Sequence, residues 1–304
     1  MFSVILHVSF ALFFSPLLLG VVAKTKAFFA GRWGPPLLQP WYDIVKLFRK
    51  GSVYSTTTTW VFKLTPVAVL ATALLSCIFI PLGTLAPPVY FWGDALFFVY
   101  LYGLMRFFLI IGAWDTGSSF EGMGASREAA FSCLSEIILF MDLILLVMVS
   151  KSLVLCNMLN TSFFSSWASM GPVLILVVIS FFLVLLVENA RIPIDDPNTH
   201  LELTMVHEVM VLDHSGFDLG LILWGSAVKF FVLGSILISL FIPRHESFMA
   251  GMVFFMVGMA LLALTVGVVE SIMARLRLNS VPHLLTGGFV LALLGFIVIL
   301  LKGM

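Results

Sequence analysis

Eight long apolar segments alternate with shorter polar connections along the chain. They cover approximately residues 2–23, 60–82, 95–113, 132–155, 170–188, 219–242, 249–271 and 284–302. Each is close to the roughly 20 residues that a helix needs to cross a bilayer, and none shows the alternation of a membrane β-strand. The pattern predicts an all-α integral membrane protein with eight transmembrane helices. The first segment lacks a basic N-terminal region and an evident cleavage site, so we expect a retained helix.

Composition supports the same fold class. The 304 residues are 61% hydrophobic and 11% charged, whereas about a quarter of the residues in a soluble domain are charged. No linker, low-complexity tract or convincing internal repeat divides the chain, so we expect one polytopic membrane domain over residues 1–304. The formal net charge of zero, without a basic stripe, gives no indication of nucleic-acid binding.

Basic residues predict the orientation in the membrane. The connections 24–59, 114–128, 189–218 and 273–283 together carry ten of the 16 Lys and Arg residues. Because cytoplasmic connections are enriched in these residues, we expect the four connections to face the cytoplasm and both termini to lie outside.

The first of these connections has a pattern of its own. Gly34, Pro35 and Pro36 break the chain, since proline removes a backbone donor and restricts the residue before it. The following stretch, LLQPWYDIVKLFRKG, has apolar residues at helical intervals, namely Leu38, Tyr42, Val45 and Phe48. This pattern is typical of a short amphipathic helix on the cytoplasmic surface of the membrane. A polar loop that follows the positive-inside rule explains the segment equally well.

Cysteine and histidine usage argues against a redox centre in this chain. Cys77, Cys133 and Cys156 are isolated, so a cluster held by this chain alone is not expected. Only His7 lies inside a predicted span, whereas a membrane haem needs axial ligands there. The chain can still serve a redox complex whose electrons run through other subunits.

Charged residues inside the predicted spans are the first functional candidates. Each costs at least ~2.5–3.5 kcal/mol on insertion scales and marks a function by default. The candidates are Arg106, Glu136, Asp142, Glu188, Lys229 and Glu270. Together they predict ion pairs or a proton relay. Interface positions are the alternative, because Glu188 and Glu270 lie at span ends and Lys229 could extend its amine to the surface.

The stretch GSSFEGMGASREAAFSCLSE at 117–136 leads into the fourth span. Gly117, Gly122 and Gly124 permit tight turns and close approach of the backbone, and the stretch then becomes helical. Arg127 and Glu136 are nine residues apart, roughly 14 Å along a helix. We therefore expect Arg127 at the mouth of the membrane region and Glu136 deeper below it.

Residues 188–214, ENARIPIDDPNTHLELTMVHEVMVLDH, contain the densest cluster of ionisable groups. Pro193 and Pro197 prevent a simple continuation of the fifth helix. A helix could resume from Thr199, with Glu202 at a capping-box position, and would place three histidines on roughly one face. These are His200, His207 and His214.

This cluster has three interpretations. The spacing does not match the H-E-x-x-H pattern of metalloproteases, so a metal site is not expected. A solvated helix face is the ordinary explanation. We favour a polar crevice under a cytoplasmic partner, where protons enter the membrane.

Four stretches carry a resemblance to a known family. They are GRWGPPLLQPWYDIVKLFRK (31–50), MGASREAAFSCLSE (123–136), ENARIPIDDPNTHLEL with LDHSG (188–216), and ESIMARLRL (270–278). With these motifs and its eight spans, the chain resembles the subunit 1 family of respiratory complex I. It resembles more closely the homologous subunit of membrane-bound NiFe hydrogenases and formate hydrogenlyase (hydrogenase-4 component C-like). Departures from the complex I pattern include Asn198 and His200 in place of acids and His214 in place of an aromatic residue.

The resemblance implies a membrane-anchor and proton-coupling subunit of an energy-converting hydrogenase or formate hydrogenlyase-type complex in a prokaryotic cytoplasmic membrane. Such a subunit docks hydrophilic Fe–S and NiFe-hydrogenase-like large subunits and contacts antiporter-like membrane subunits. It holds no cofactor; the partners carry Fe–S clusters, with or without a nickel site. The alternatives are a quinone-binding subunit of a complex I-like oxidoreductase and a hydrogenase-related ion pump that lacks the nickel site. A stand-alone transporter and a purely structural anchor also stay open.

The resemblance and the charged positions together assign roles to residues, none of them catalytic or metal-binding. The expected proton path comprises Glu136, Glu188, Asp195, Glu202, Glu208, Asp142 and Glu270. The bases expected to modulate these carboxylates are Arg106, Arg127 and Arg191. The residues expected at the docking surface for the hydrophilic arm are Arg32, Gly34, Pro35, Gln39, Asp43, Lys46, Pro193, Pro197, Asp213, Arg275 and Arg277.

Overall fold

The computed structural model describes residues 2–160, 163–195, 205–241 and 247–302. The α-helices of these ranges are α1 (Phe2–Phe29), α2 (Gln39–Phe48), α3 (Trp60–Ile78), α4 (Asp94–Asp115), α5 (Ser119–Ser150), α6 (Leu155–Asn160), α7 (Phe163–Glu188), α8 (Gly216–Ser239), α9 (Phe248–Ile272) and α10 (Val281–Leu301). Two short 3-10 helices cover Glu208–Val211 and Leu278–Ser280.

Eight of these helices, all except α2 and α6, are long and apolar enough to cross a membrane. The predicted number of spans and the all-α fold class are therefore confirmed within the described ranges. Helix α8 lies at the centre of the bundle, buried along most of its length, and packs against α1, α3 and α9. Helix α10 packs against α5 and α7 at one side. The chain is a multi-pass membrane protein.

Helix α5 differs most from the prediction, because it begins at Ser119 rather than near residue 132. Its 32 residues correspond to about 48 Å, well beyond the roughly 30 Å of a hydrocarbon core. Gly122 and Gly124 therefore lie inside a helix, so the tight turns predicted there are wrong, whereas the predicted close approach of another backbone is found at Gly124. At Gly124 the physical reason is close packing: a Cβ atom would overlap the Val209 side chain and lie 3.0 Å from the carbonyl oxygen of Val206.

The short helix predicted in the first connection is present as α2, but its buried face agrees with the predicted apolar face only at Phe48. Ile44 is buried, and the Trp41 and Phe48 rings lie 5.5 and 5.6 Å from the ring of Trp224 in α8. Tyr42, expected on the apolar face, is 57% exposed. The large rings at positions 41 and 48 set the buried face because they pack against α8.

The four basic connections meet at one end of the bundle, which we call the polar end. It is built from the described parts of residues 24–59, 114–128, 189–218 and 273–283. Hydrogen bonds join neighbouring connections through Thr59 with Asp115, Asp213 with Glu121, and Leu276 with Pro193. Charged residues that are far apart in sequence therefore share one surface.

The described part of the 199–216 segment does not form the predicted α-helix. From Met205 to Ser215 the regular structure is limited to the 3-10 helix Glu208–Val211. Thr199 and His200 lie outside the described residues. The seven-residue stripe of histidines is therefore wrong for the described pair, because His207 and His214 have separate environments.

Candidate functional site

A chain of ion pairs runs through the middle of the bundle. Lys229 Nζ lies 2.8 Å from Glu188 Oε2, and Arg106 Nη1 lies 3.3 Å from Glu188 Oε1. The other terminal nitrogen of Arg106 lies 3.3 Å from Glu136 Oε2. We call these four residues the buried charge chain.

The buried charge chain is assembled from four different helices. Lys229 belongs to α8, Glu188 to the last turn of α7, Arg106 to α4 and Glu136 to α5. Lys229 is buried, so it does not extend its amine to the surface. The side chain of Glu136 is 31% exposed. The buried charge chain thus extends from the interior of the bundle to its flank.

Additional hydrogen bonds support the central members of the chain. Ser135 donates its hydroxyl to Glu188 Oε1 at 2.8 Å, and Arg106 donates from Nη1 to the Ser132 carbonyl at 2.9 Å. Buried ion pairs recover their desolvation penalty only with such geometry and added hydrogen bonds. Arg106 and Lys229 balance the two carboxylates, so the four residues of the buried charge chain together carry no formal charge.

A cavity of about 150 Å³ connects the polar end with the buried charge chain. Its lining residues are Leu19, Glu188, Asn189, Ala190, Arg191, His207, Glu208, Leu223, Ser226 and Lys229. A water molecule takes up about 30 Å³ in the liquid, so the cavity can hold several. It brings the predicted path residues Glu188 and Glu208 to one space.

The segment 205–215 is docked on the first part of α5 by several contacts. Arg127 donates to the Met205 carbonyl at 2.9 Å, and Glu121 accepts from the Asp213 backbone N–H at 2.8 Å. Glu128 Oε2 lies 3.9 Å from His207 Nδ1. Positions 121, 124 and 128 lie on one face of a helix. This docking face was not predicted, because residues 114–128 were expected to be a connection.

His207 and its partner Glu128 are both largely buried. Burial opposes protonation of His207, but the negative charge of the neighbouring Glu128 outweighs it and raises the pKa of His207 above its usual value. The protonated form is therefore favoured over a wider pH range than for an exposed histidine.

His214 behaves in the opposite way. Its ring stacks on Phe62 with centroids 3.9 Å apart and an interplanar angle of 4°. Burial lowers the pKa of His214 to about 4. At neutral pH this residue is an uncharged aromatic ring, which explains how histidine occupies a position where the resemblance leads one to expect an aromatic residue.

Replacing His214 with Phe is expected to remove part of the acid sensitivity of the fold. The folded-state pKa of about 4 lies below the unfolded value, so this residue lowers stability as pH falls below about 6.5 towards 4. The difference corresponds to about 3 kcal/mol once His214 is fully protonated. Thermal unfolding of the wild type and His214→Phe from about pH 4 to 8 measures it. The same loss of stability at acidic pH in both proteins would show that the lowered pKa of His214 does not contribute to it.

A second cluster joins the loop after α7 to α1 and α9. Glu270 is buried and accepts ion pairs from Lys26 Nζ at 2.8 Å and from Arg191 Nη1 at 3.4 Å. The Arg191 guanidinium also lies 5.6 Å from the centre of the Phe230 ring. Glu270 therefore fixes the position of Arg191 beside the cavity.

Asp195 links the two described parts of the segment 189–215. Its Oδ1 accepts from Arg275 Nη2 at 2.8 Å. Its Oδ2 accepts from the backbone N–H groups of Val206 and His207, at 2.9 and 3.1 Å. These bonds hold the chain on both sides of residues 196–204.

Asp142 lies apart from the buried charge chain. It is fully buried between α5 and α7 and accepts a hydrogen bond from the Ser180 hydroxyl. Six residues separate it from Glu136, about 9 Å along α5. No Lys or Arg of the described ranges forms an ion pair with it.

The expected docking residues lie at the polar end, with different exposure. Arg32, Gly34, Pro35, Lys46, Asp213 and Arg277 are exposed. Gln39 donates to Asp43 at 2.9 Å along α2, and the buried Pro193 accepts from the Leu276 N–H at 2.8 Å. Pro197 and Glu202 lie outside the described residues.

Several site residues were missed by sequence reasoning. Glu121, Glu128 and the Lys26 partner of Glu270 were not singled out. The signal for the two glutamates was the spacing of positions 121, 124 and 128 along one helix face, and it can be seen only if α5 begins at Ser119. Within the described ranges, no three His, Cys, Asp or Glu side chains come together as metal ligands.

Comparison with known proteins assigns the chain to a family. Residues 2–301 match the family described as NADH dehydrogenase. The chain is 32% identical over 293 residues to formate hydrogenlyase subunit 4 of Escherichia coli (strain K12), covering 94% of each protein. It is 29% identical to hydrogenase-4 component C of the same strain, covering 94% of this chain and 91% of that protein.

A more distant relative has a similar sequence, and one solved structure has the same fold. NADH-ubiquinone oxidoreductase chain 1 of Triticum aestivum is 27% identical, over 75% of this chain and 72% of its own length. One chain of the archaeal membrane-bound sulfane sulfur reductase, a respiratory membrane complex, shares the fold with a TM-score of 0.87 at 19% identity, covering 98% of both chains. The predicted resemblance is confirmed: this chain belongs to the NADH dehydrogenase family of complex I subunit 1, with formate hydrogenlyase subunit 4 and hydrogenase-4 component C among its homologues.

Proposed function

We propose that this chain is the membrane-anchor and proton-coupling subunit of a complex I-like, redox-driven complex of the energy-converting hydrogenase or formate hydrogenlyase type. The names of its relatives support the type of complex. The observation that carries the coupling role is the continuous polar route from the cavity at Glu208 to Glu188, Arg106 and the partly exposed Glu136.

The polar end is the surface on which the hydrophilic arm docks. It gathers four connections and exposes several cations, including Arg32, Lys46 and Arg277. The arm carries the Fe–S clusters and the catalytic large subunit, with or without nickel. Electron transfer there changes the charge or conformation next to segment 205–215, and the cavity beneath this segment responds by taking up or releasing a proton. Coupling is then a free energy shared between two sites.

Within the membrane, protons pass from Glu208 and the cavity to Glu188 and then to Glu136. Arg106 contacts both carboxylates and so modulates each of them. Glu136 faces the flank, where an antiporter-like subunit receives the proton, and Asp142 lies further along the same helix. Asp195 and Glu270, held by arginines, keep the loop and Arg191 in place around the cavity. Arg127 does the same for Met205.

Glu136→Gln tests the proposed function directly. The amide keeps the shape of the side chain but cannot carry a proton, so we expect ion pumping to be lost while the complex still assembles. Proton translocation by the purified complex in vesicles, together with its subunit content by mass spectrometry, measures both properties. Cys133→Ser, at an exposed position on the same helix, is the matched control. Fully coupled pumping by Glu136→Gln would show that the route does not run through this carboxylate.

A further inference from the structure

His207 lies between two groups of ionisable side chains. On one side it lines the cavity together with four other ionisable residues, namely Glu188, Arg191, Glu208 and Lys229. On the α5 side its Nδ1 lies 3.9 Å from Glu128 Oε2. A histidine in this position can exchange a proton with the cavity while a fixed carboxylate balances its charge.

We propose that His207 and Glu128 form a proton-loading pair, in which His207 takes a proton from the cavity and releases it towards Glu188. This rests on the proposed function, because it names the step between the polar end and the buried charge chain. Glu128 stays ionised throughout and acts as a positioning residue for the imidazole.

The proton balance of the step is closed. We assign the proton of the neutral ring to Nδ1, which lies 3.9 Å from the Glu128 carboxylate, so that the lone pair of Nε2 accepts the incoming proton. A hydronium ion in the cavity gives its proton to Nε2 and becomes water, which leaves an imidazolium paired with Glu128. The imidazolium then returns the same proton through cavity water to the Glu188 carboxylate. No electron or further reactant is needed.

The charges around His207 suit loading and release. Burial and the Lys229 ammonium disfavour the imidazolium, whereas Glu128 and Glu208 favour it, and the pKa of His207 is raised overall. The Lys229 charge is neutralised by Glu188 at 2.8 Å. When Glu188 takes up the proton, this compensation is lost, and the uncovered charge of Lys229 opposes reloading of His207. Protonation of Glu188 therefore disfavours protonation of His207.

The side-chain pair is not required to hold the segment in place. The Asp195 carboxylate already fixes the backbone N–H groups of residues 206 and 207. Arg127 binds the carbonyl of Met205, and Glu121 binds the N–H of Asp213. A structural role for His207 and Glu128 would therefore add little, whereas a proton-loading role needs both side chains.

The test uses the whole purified complex in vesicles, with proton pumping measured from about pH 5 to 9, a range that brackets histidine titration. The wild type is expected to lose pumping as pH rises through the raised pKa of His207. His207→Asn keeps a donor towards Glu128 but cannot titrate, so we expect pumping to fall at least about 100-fold, in line with the loss of a proton-transfer group. Wild-type pumping by an assembled His207→Asn complex would overturn the proposal.

The partner carboxylate gives a second, independent measurement. Glu128→Gln removes the charge that raises the pKa of His207, so the alkaline loss of pumping should move to lower pH. Glu128→Asp keeps the charge, so the pH at which pumping is lost should stay close to the wild-type value. If Glu128→Gln leaves the pH at which pumping is lost unchanged, the proposal is wrong, whether or not the His207 variant assembles.

The outcomes also separate this proposal from the function on which it rests. If Glu136→Gln and Glu188→Gln pump normally, the proton-coupling function itself fails. If both lose pumping while His207→Asn retains it, the function stands and the loading pair is rejected.

Discussion

Replacing Glu188 with Gln is expected to destabilise the protein by about 3–5 kcal/mol and to abolish coupled ion translocation. Removing one partner of a buried ion pair leaves an uncompensated charge in a low-dielectric interior. Here Glu188 neutralises Lys229 at 2.8 Å and shares Arg106, at 3.3 Å, with Glu136, so the substitution leaves the Lys229 ammonium uncompensated. Gln keeps the volume of Glu, so the effect reports charge rather than packing.

Thermal unfolding of the purified protein and proton pumping by the complex measure the two effects of Glu188→Gln separately. Adding Lys229→Met removes the unpaired ammonium, and the double variant should regain most of the stability but none of the pumping. A single variant as stable as the wild type would show that the pairs are solvated rather than buried. Pumping by the double variant would show that the carboxylate is not on the proton route.

Gly124→Ala is expected to displace segment 205–215 from α5 and to uncouple turnover from pumping. The added methyl group would overlap Val209 and approach the Val206 carbonyl oxygen to 3.0 Å. Overpacking of this kind typically costs about 1–3 kcal/mol. Because the same segment carries His207 and borders the cavity, a shift there also opens the ion pair with Glu128.

Gly122→Ala is the matched control for Gly124→Ala. It lies two residues away on the same helix, and an added Cβ would meet nothing within 4 Å. Alanine is favoured over glycine in a helix by about 0.5–1 kcal/mol, so this variant should be slightly more stable than the wild type and fully coupled. Hydrogen exchange of residues 205–215 in both variants reports the displacement. Equal exchange and equal coupling would mean that the close packing at Gly124 is not functional.

The hydrophobic pattern was sufficient for the fold because bilayer thickness constrains helix length. All eight spans were recovered, and the predicted surface helix is present at Gln39–Phe48. The pattern could not position the start of α5, since polar residues beyond the bilayer continue the helix without any apolar signal. Gly122 and Gly124 favoured turns by local preference, and the tertiary packing of Val209 on Gly124 outweighed that preference.

Members of the candidate site could be selected from sequence, but their pairing could not. Arg106, Glu136, Glu188 and Glu270 stood out because charge inside a span is expensive. Their partners depend on how each helix is rotated about its axis and which helices are adjacent. Lys229 shows the difference, since its sequence position was compatible with a surface amine, and only the packing of α7 against α8 brings it to Glu188.

The histidines show the limit of spacing arguments. A seven-residue interval suggested one titrating face, but His207 is paired with Glu128 and His214 is stacked on Phe62. The pKa of His207 is raised and the pKa of His214 is lowered, because one ring has a carboxylate neighbour and the other has only burial. Residue type and interval were the same, and the environment determined the chemistry.

The distribution of the buried charge chain over four helices also has a consequence for biogenesis. Spans leave the ribosome in order, so Arg106 of α4 and Glu136 of α5 enter the bilayer before Glu188 of α7 and Lys229 of α8. The first two are partners of one ion pair in the folded protein, so they can neutralise each other once both spans are inserted, and Glu188 then supplies a negative charge before the ammonium of α8 arrives. Lys229 is near the middle of α8 and on its own opposes insertion by at least ~2.5–3.5 kcal/mol. The order of the helices along the chain therefore keeps the cost of each successive membrane integration low.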